Sequence, residues 1–293
     1  MISKKVLGMG EILWDLLPKG RQLGGAPANF AFHAKQLGLD AGVVSAVGQD
    51  SDGKDILEII MRFGLKSFIG VNDKPTGTVS VTLDEQGVPV YIIHQNVAWD
   101  FVKPMPDATE WAREAAAICF GSLAQRSERT RKTIQELLDI APSTCLKIFD
   151  INLRQKFYNR EIIEESLQKA NILKINDEEI IILGKMFGLG DQEEIIAERA
   201  LRKFRLDYVA LTKGSSGSWM FSGFDSSWLP TPRVTVADTV GAGDSFTAAM
   251  AAGILSGKKL QDTHKLAVEV SAYVCTQRGA TSELPAHIKK EFE

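Results

Sequence analysis

The residues with the clearest chemical potential lie at positions 238–245, where the sequence reads DTVGAGDS. An alanine-rich run follows directly, which predicts a helix that begins near Asp244. Glycine lets the backbone approach a ligand closely, and the first amides of a helix have no partner within it. The stretch therefore predicts an anion-binding site at a helix N-terminus.

An acid at this anion site, Asp244, indicates a reaction rather than binding alone. A carboxylate repels a bound anion, but it is useful if it takes a proton from a hydroxyl that attacks a phosphoryl group held by the amides. The stretch lacks the Gly-Lys-Ser/Thr ending of a Walker A loop. The alternative is an ordinary loop in which glycine makes the turn and Asp244 caps the helix.

A second glycine pair opens a second predicted helix, at positions 23–38 with the sequence LGGAPANFAFHAKQLG. Pro27 near its start and Gly38 after its end bracket the helix. Asn29 in the first turn is a candidate contact for a polar ligand, and an exposed helix asparagine is the alternative. No spacing of acids or cysteines recruits His33 to a site, so we expect an ordinary core or surface histidine.

Strand and helix patterns alternate along most of the chain. After a first strand at 6–10, apolar runs predict strands at 43–47, 117–120, 146–150, 172–175 and 208–212, with amphipathic helices between them. The pattern predicts an α/β fold whose central, mostly parallel sheet carries helices on both faces and binds ligands at the carboxyl ends of its strands. The polar residues just after these strands are Asp150, Asn152, Arg154, Asn176, Glu179, Thr212, Lys213 and Gly214.

The alternation stops at about 67–97, where two β-rich runs flank the turn sequence DEQG at 84–87. Together with residues 12–24, this segment predicts a small antiparallel β lid on a single domain that spans 1–293. Asp15 follows the first strand and is a candidate ligand contact, with a solvated loop acid as the alternative. The exposed edge of such a lid is a natural surface for a homodimer.

Composition excludes several functional classes. The chain has 34 basic and 37 acidic residues in 293, a net charge of −3, and no basic block, which argues against nucleic acid. The N-terminus does not resemble a signal peptide, and no apolar run is long enough to span a membrane. The three cysteines are widely spaced in apolar surroundings, as expected for buried thiols. These features predict a cytoplasmic protein.

The two glycine motifs, more than 200 residues apart, resemble the two signatures of the ribokinase-like (PfkB) sugar kinases. The middle of the chain fits as well, through NDEE at 176–179 and TKGSSG at 212–217, so the resemblance covers nearly the whole chain. It implies a kinase in which Asp244 deprotonates the sugar hydroxyl and amides of residues 241–243 hold the transferring phosphate. The residues that it implies are Gly241, Ala242 and Gly243 at the phosphate, and Asp15, Gly25 and Asn29 at the sugar.

The resemblance also implies a nucleotide and its cations. Asn176 and Glu179 match a motif that organises Mg²⁺ and the phosphates of ATP, in the case of Glu179 through water; an ordinary acid in the first turn of a helix is the alternative. The ATP phosphates are expected along Thr212, Gly214 and Gly217, whereas Lys213 is expected to be solvated. A monovalent cation, K⁺, is expected near Asp238 and Ser282.

Within the family, GEILWDLLP at 10–18, AWD at 98–100 and FDINLR at 149–154 resemble fructokinases. Arg154 is then expected to reach the sugar or the transferring phosphate. Kinases of 2-keto-3-deoxygluconate share a similar Asp-x-Asn-x-Arg stretch, and ribose is a further alternative substrate. The lid positions Tyr91, His94 and Gln95 include no carboxylate-binding arginine, which favours a neutral sugar such as fructose.

Two readings from other classes are weaker. A non-catalytic sugar-binding regulator gains nothing from an acid that repels an anion in its binding site. A dinucleotide-dependent oxidoreductase requires Gly-x-Gly-x-x-Gly after the first strand, but Gly8-Met9-Gly10 is followed by Glu-Ile-Leu.

Overall fold

The computed structural model describes residues 4–17, 20–83 and 89–292. Position 18 and the turn expected at 84–87 lie outside these ranges. Within them the chain forms thirteen strands in two sheets. In chain order the strands are β1 (Lys5–Met9), β2 (Leu13–Leu17), β3 (Gly20–Gly24), β4 (Asp40–Gly48), β5 (Lys66–Asn72), β6 (Gly77–Leu83), β7 (Pro89–Ile93), β8 (Ala117–Phe120), β9 (Leu146–Asp150), β10 (Ile172–Asn176), β11 (Tyr208–Thr212), β12 (Ser218–Ser222) and β13 (Ser226–Leu229).

Ten α-helices connect and cover these strands in the described part of the chain. Short 3₁₀ turns occur at Ala98–Phe101, Leu123–Arg126 and Gly214–Ser216. The helices are α1 (Ala26–Gln36), α2 (Ser51–Arg62), α3 (Pro106–Arg113), α4 (Glu128–Ile140), α5 (Arg160–Lys169), α6 (Asp177–Phe187), α7 (Glu193–Phe204), α8 (Ala242–Leu255), α9 (Leu260–Cys275) and α10 (Ala286–Lys290).

The larger sheet confirms the expected α/β architecture. Its order is β13-β12-β11-β10-β9-β8-β1-β4-β5, with parallel pairing from β5 to β11 and antiparallel pairing for the last two strands at one edge. One apolar core packs the sheet against helices α3 to α7, and a second core packs the other face against α1, α2, α8, α9 and α10. Because both faces are covered, the parallel strands are apolar on both sides, as their sequences indicated.

The smaller sheet has the order β3-β2-β6-β7, and we call it the lid sheet. Its two hairpin pairs are antiparallel, but the central pair β2 and β6 is parallel. The expected antiparallel lid is confirmed in its two hairpins, and only the central pair departs from that pattern, because β2 and β6 are separated by a long connection that imposes no hairpin geometry. Leu16, Tyr91 and Ile92 are exposed on this sheet.

The expected lid boundary at position 67 was also wrong. Residues 66–72 form β5, which pairs in parallel with β4 at the edge of the large sheet. Phe68 and Ile69 are buried there against the two cores. No helix separates β5 from β6, and the sequence pattern therefore gave no sign that the chain was still in the large sheet.

The other sequence-based boundaries agree closely with the structure. Three of the predicted strands, at 117–120, 146–150 and 208–212, match β8, β9 and β11 at both ends. The helix expected near Asp244 begins at Ala242. In the ranges 4–17, 20–83 and 89–292, no helix combines the length and the apolar character that crossing a membrane requires.

Candidate active site

The anion-site stretch forms the start of α8, as its glycines predicted. Gly241 precedes the helix with φ of 80°, a left-handed conformation that residues with a side chain adopt at a cost. A β-carbon added at Gly241 would lie 2.7 Å from the α-carbon of Ala280. Only glycine therefore fits this position. Of the first amides of α8, that of Ala242 donates to the Thr239 carbonyl at 3.3 Å, and that of Ser245 donates to the Gly241 carbonyl at 2.9 Å.

Asn29 and Asp244, which are 215 residues apart in the chain, meet at the centre of the site. The side-chain amide of Asn29 donates a 2.8 Å hydrogen bond to Asp244 Oδ2. Asn29 is buried in the first turn of α1, which Gly25 opens with φ of 114°. A β-carbon at Gly25 would lie 2.5 Å from the carbonyl oxygen of Glu11. The two helices opened by glycine thus converge on one carboxylate.

Several neighbours act on the charge of Asp244. Burial, with the nearby carboxylate of Asp150, raises the pKa of Asp244 to about 6. The hydrogen bond from Asn29 and the cations Lys174 and Arg154 lower the pKa and offset part of this rise. A carboxyl with a pKa of about 6 is largely ionised at neutral pH and remains a useful proton acceptor.

Beneath Asp244 lies a buried ion pair between neighbouring strands. Lys174 on β10 and Asp150 on β9 are register partners, and Lys174 Nζ lies 3.1 Å from Asp150 Oδ1. The hydroxyl of Thr247, in the second turn of α8, lies 3.1 Å from Asp150 Oδ2 and 2.9 Å from the carbonyl of Gly243. Lys174 was not expected in the site from the sequence, although a single lysine in the apolar run ILKIN was a detectable signal.

Glu11 is a second buried carboxyl that the sequence analysis did not assign to the site. Burial, with a contribution from the charge of Asp244, raises the pKa of Glu11 to about 7. Its Oε2 atom is buried without a hydrogen-bond partner in the described structure. Glu11 lines a cleft of about 10 Å³ together with Asp150, Asp244 and Thr247. That volume is at the lower limit for one water molecule.

Asp15 lies on strand β2 of the lid sheet, and Arg154 follows β9 and acts on Asp15 electrostatically. Burial raises the pKa of Asp15 to about 6, and Arg154 lowers it. Arg154 also lowers the pKa of Glu11 and of Asp244, so its positive charge acts on all three acids. The side chain of Arg154 is exposed. Asp15 lies against Gly24, where any side chain would overlap its carboxylate.

Asn176 and Thr212 lie side by side at the carboxyl ends of β10 and β11. Asn176 caps α6 by accepting a 2.8 Å hydrogen bond from the amide of Glu179. The Glu179 carboxylate accepts hydrogen bonds from the backbone amides of Asn176 at 3.0 Å and Leu153 at 2.8 Å. Glu179 therefore has a structural role as a helix-capping acid. Its expected role toward Mg²⁺ remains a prediction.

Comparison with known proteins decides the family. Residues 20–287 match the family model described as pfkB family carbohydrate kinase, which is most of the 293-residue chain. The chain belongs to the pfkB family of carbohydrate kinases. The resemblance inferred from the two glycine motifs is thereby confirmed.

Three relatives illustrate the range of this kinase family. An uncharacterised sugar kinase of Pyrococcus horikoshii is 28% identical over 304 residues, covering 96% of this chain and 93% of the relative. Its structure in complex with ATP aligns with a TM-score of 0.81 at 25% identity and covers 99% of both chains. An ATP-dependent 6-phosphofructokinase of Thermoanaerobacterium thermosaccharolyticum is 28% identical, covering 96% of this chain and 90% of the relative. A fructokinase of Salmonella typhimurium is 27% identical and covers 97% of each.

In this pfkB kinase, the loop after β11 is closed by a hydrogen bond from the Lys213 amide to the Gly217 carbonyl at 2.9 Å. Gly214 and Gly217 both have positive φ, of 51° and 121°. The expectation of a solvated Lys213 was wrong, because its ammonium pairs with Glu193 at 2.6 Å. Lys213 thus fastens the loop to α7.

The expected monovalent-cation region is a loop held from two sides. The Asp238 carboxylate accepts hydrogen bonds from the backbone amides of Val240 and Gly279, both at 3.1 Å. On α1, His33 Nε2 lies 2.8 Å from the Ala280 carbonyl, and Gln36 donates to the Ser282 carbonyl at 3.1 Å. Burial lowers the pKa of His33 to about 4, so the ring is neutral and Nε2 donates this bond at neutral pH. The helix that carries Asn29 therefore also fixes the loop beside Gly241.

Proposed function

We propose that this pfkB kinase transfers the γ-phosphoryl group of ATP to the primary hydroxyl at carbon six of fructose. The observation that carries the proposal is the hydrogen bond between Asn29 and Asp244, at 2.8 Å, which places a carboxylate at the amide-lined start of α8. Asp244 accepts the hydroxyl proton, and the amides of Gly241, Ala242 and Gly243 stabilise charge on the transferring phosphoryl group.

ATP and Mg²⁺ fit the nucleotide side of this proposal. No described atom lies within 4 Å of a β-carbon added at Gly214, in the loop that we propose for the phosphates with Thr212 and Gly217, and Asn176 is the register partner of Thr212. Within the described ranges no group of three or more His, Cys, Asp or Glu residues is arranged to hold a metal. The proposed magnesium ion would be held mainly by phosphate and water, with Glu179 as its protein acid. Magnesium would neutralise phosphate charge.

K⁺ is also part of the proposal. Ser282 Oγ is a buried oxygen without a hydrogen-bond partner among the described residues. Asp238 lies in the same loop system, since its carboxylate binds the amide of Gly279. Potassium prefers oxygen ligands of this kind, so both residues suit a cation that would hold the loop beside Gly241.

Fructose is the preferred substrate because fructokinase relatives align along the whole chain and because Asn29, which is hydrogen-bonded to Asp244, is a suitable partner for a neutral hydroxyl. Asp15 and Gly25 are the other proposed sugar contacts. One observation favours a second candidate, fructose 6-phosphate. The guanidinium of Arg154 is exposed beside Asp15 and is suited to a phosphate group. The phosphofructokinase relative is consistent with that alternative.

We expect a substrate panel to distinguish these sugars. Purified protein with ATP and Mg²⁺ is given fructose, fructose 6-phosphate, ribose or 2-keto-3-deoxygluconate, and ADP release is measured. The proposal predicts the highest kcat/KM with fructose. A higher value for any of the other three compounds would replace fructose as the substrate, and sugar binding without ADP release would point to a non-catalytic regulator.

We expect kcat/KM to fall at acid pH. Asp244 accepts a proton only when ionised, and its pKa is raised to about 6. Activity should therefore be nearly constant well above pH 6 and fall about tenfold per pH unit below it. Asp15 has a similar pKa and can steepen the fall. A profile that stays flat down to pH 4.5 would contradict the assignment of Asp244 as base.

We also propose that residues 1–293 act as one kinase domain, with β2, β3, β6 and β7 as a lid over the sugar. The exposed apolar side chains of Leu16, Tyr91 and Ile92 suit pairing of two lid sheets in a homodimer. Sedimentation analysis should then show a dimer that Tyr91→Glu converts to a monomer. An unchanged mass would exclude this surface.

A further inference from the structure

Lys174 is an unusual residue for its position. It lies on β10 in the middle of the large sheet and is only 8% exposed, and Ile172, on the same face of the strand, is fully buried. Lysine is rarely buried to this degree without a partner. Its partner is Asp150, at 3.1 Å, and the two side chains are 10% and 6% exposed.

The ammonium of Lys174 lies directly beneath the anion site. A β-carbon added at Gly243 would be 2.9 Å from Lys174 Nζ. Gly243 is in the first turn of α8, one residue before Asp244. The glycine is thus required for close approach of the cation, as well as for access to the amides from the ligand side.

The charges around Asp244 are unevenly placed. The buried carboxylate of Glu179 also acts on Lys174. Around Asp244 itself, the buried acids Glu11 and Asp150 add negative charge. The thiol of Cys119 also faces these acids, and its pKa is raised well above its usual value by burial and by their charges. Two cations oppose them, Lys174 and Arg154. Arg154 is exposed to water, which weakens its effect, whereas Lys174 is buried.

We propose that Lys174 is a positioning residue of the phosphoryl transfer, whose buried ammonium, anchored by Asp150 beneath Gly243, keeps Asp244 ionised in its acidic surroundings. The inference rests on the proposed function, because it assumes that Asp244 is the base. Lys174 touches neither sugar nor nucleotide in this assignment. It acts through the charge of Asp244 and through the geometry of the first turn of α8.

Substitution of Lys174 and substitution of Asp150 should shift the acid limb of the kcat/KM profile in opposite directions. Lys174→Met removes the cation and leaves the Asp150 carboxylate, so the pKa of Asp244 rises and the acid limb of kcat/KM moves up by about 1 pH unit or more. Asp150→Asn removes a negative charge and leaves the cation, so the limb moves down. The double variant D150N/K174M removes both charges and should return the limb toward the wild-type position.

Lys147→Met is the matched control. Lys147 lies on the neighbouring strand β9 and is half-buried, and its charge acts on Cys145 rather than on Asp244. The Lys147→Met variant should leave the acid limb of the kcat/KM profile at its wild-type position. The double variant also guards against misfolding of the single variants, because it removes the buried pair as a unit and leaves no unpaired charge.

A second measurement, the thermal stability of the variants, does not depend on catalytic activity. The pKa of Asp244 is raised in the folded state, so ionised Asp244 opposes folding above its unfolded pKa, and this cost reaches its full value above pH 6. Asp244→Asn should therefore raise Tm at pH 8 and change it little at pH 4. In the K174M background the gain at pH 8 should become larger, because the pKa of Asp244 is higher there.

Two results would overturn the inference. One is a K174M variant whose kcat falls equally at every pH with the limb unmoved. The other is a Tm gain from Asp244→Asn that K174M leaves unchanged. If the wild-type protein phosphorylates no sugar, the proposed function fails, but the Tm series still tests whether Lys174 controls the ionisation of Asp244.

Discussion

Replacing Asp244 with Asn is expected to reduce kcat by about 10²- to 10⁴-fold and to leave the KM for sugar nearly unchanged, because a general base acts in the transition state. The amide keeps the size of the carboxylate and still accepts the hydrogen bond from Asn29. Only the ability to take the hydroxyl proton is lost. Steady-state kinetics with ATP, Mg²⁺ and the best sugar of the panel measure both parameters.

Asp262→Asn is the matched control for this variant. Asp262 occupies the third position of α9, as Asp244 does in α8, but it is exposed. The control should keep full activity and lose at most a few tenths of a kcal/mol of helix stabilisation, about the size expected for an acid near a helix N-terminus. A D244N enzyme that retains a near-normal rate shows that Asp244 is not the base.

Replacing Gly241 with Ala is expected to produce the second large loss. Gly241 has φ of 80°, and a new β-carbon would overlap the backbone of Ala280. The start of α8 must shift, which misplaces the amides that hold the transferring phosphoryl group. Loss of one such donor costs about 10²- to 10³-fold in kcat. Kinetics and thermal unfolding of the same preparation separate the effect on the site from the effect on stability.

Gly257→Ala is the control at the opposite end of the same helix. Gly257 has φ of 71°, but no atom lies within 4 Å of an added β-carbon. The backbone strain is similar, about 1–2 kcal/mol for a left-handed residue with a side chain. The account predicts a lower Tm with normal kcat for G257A. Equal activity losses in both variants would mean that general destabilisation, rather than displaced amides, explains the effect.

The sequence was a good guide to elements with local signals. Apolar runs bounded by glycine or polar residues placed β8, β9 and β11 correctly, because strands covered on both faces require such runs. The two glycine motifs, through the family resemblance they carry, implied that Asn29 and Asp244 act on the same sugar, and in the structure the two side chains are hydrogen-bonded.

Features that depend on contacts between distant segments were not predictable in this way. Lys174 and Asp150 are register partners on neighbouring strands, and a single sequence does not show the register. The burial of Glu11 depends on α1 passing over it, and that of His33 on the C-terminal loop. β5 follows α2 and pairs with β4 in the large sheet. No change in composition separates β5 from the lid strands that follow it, so it was expected to belong to the lid.

The most direct test of the central claim is the identity of the product. Wild-type protein is incubated with ATP, Mg²⁺ and fructose, and the sugar phosphate is passed to phosphoglucose isomerase and glucose 6-phosphate dehydrogenase, which require phosphate at carbon six. We expect one NADPH for each ADP released, and no signal from D244N on the same timescale. ADP release that yields no NADPH, or no ADP release with fructose at all, would contradict it.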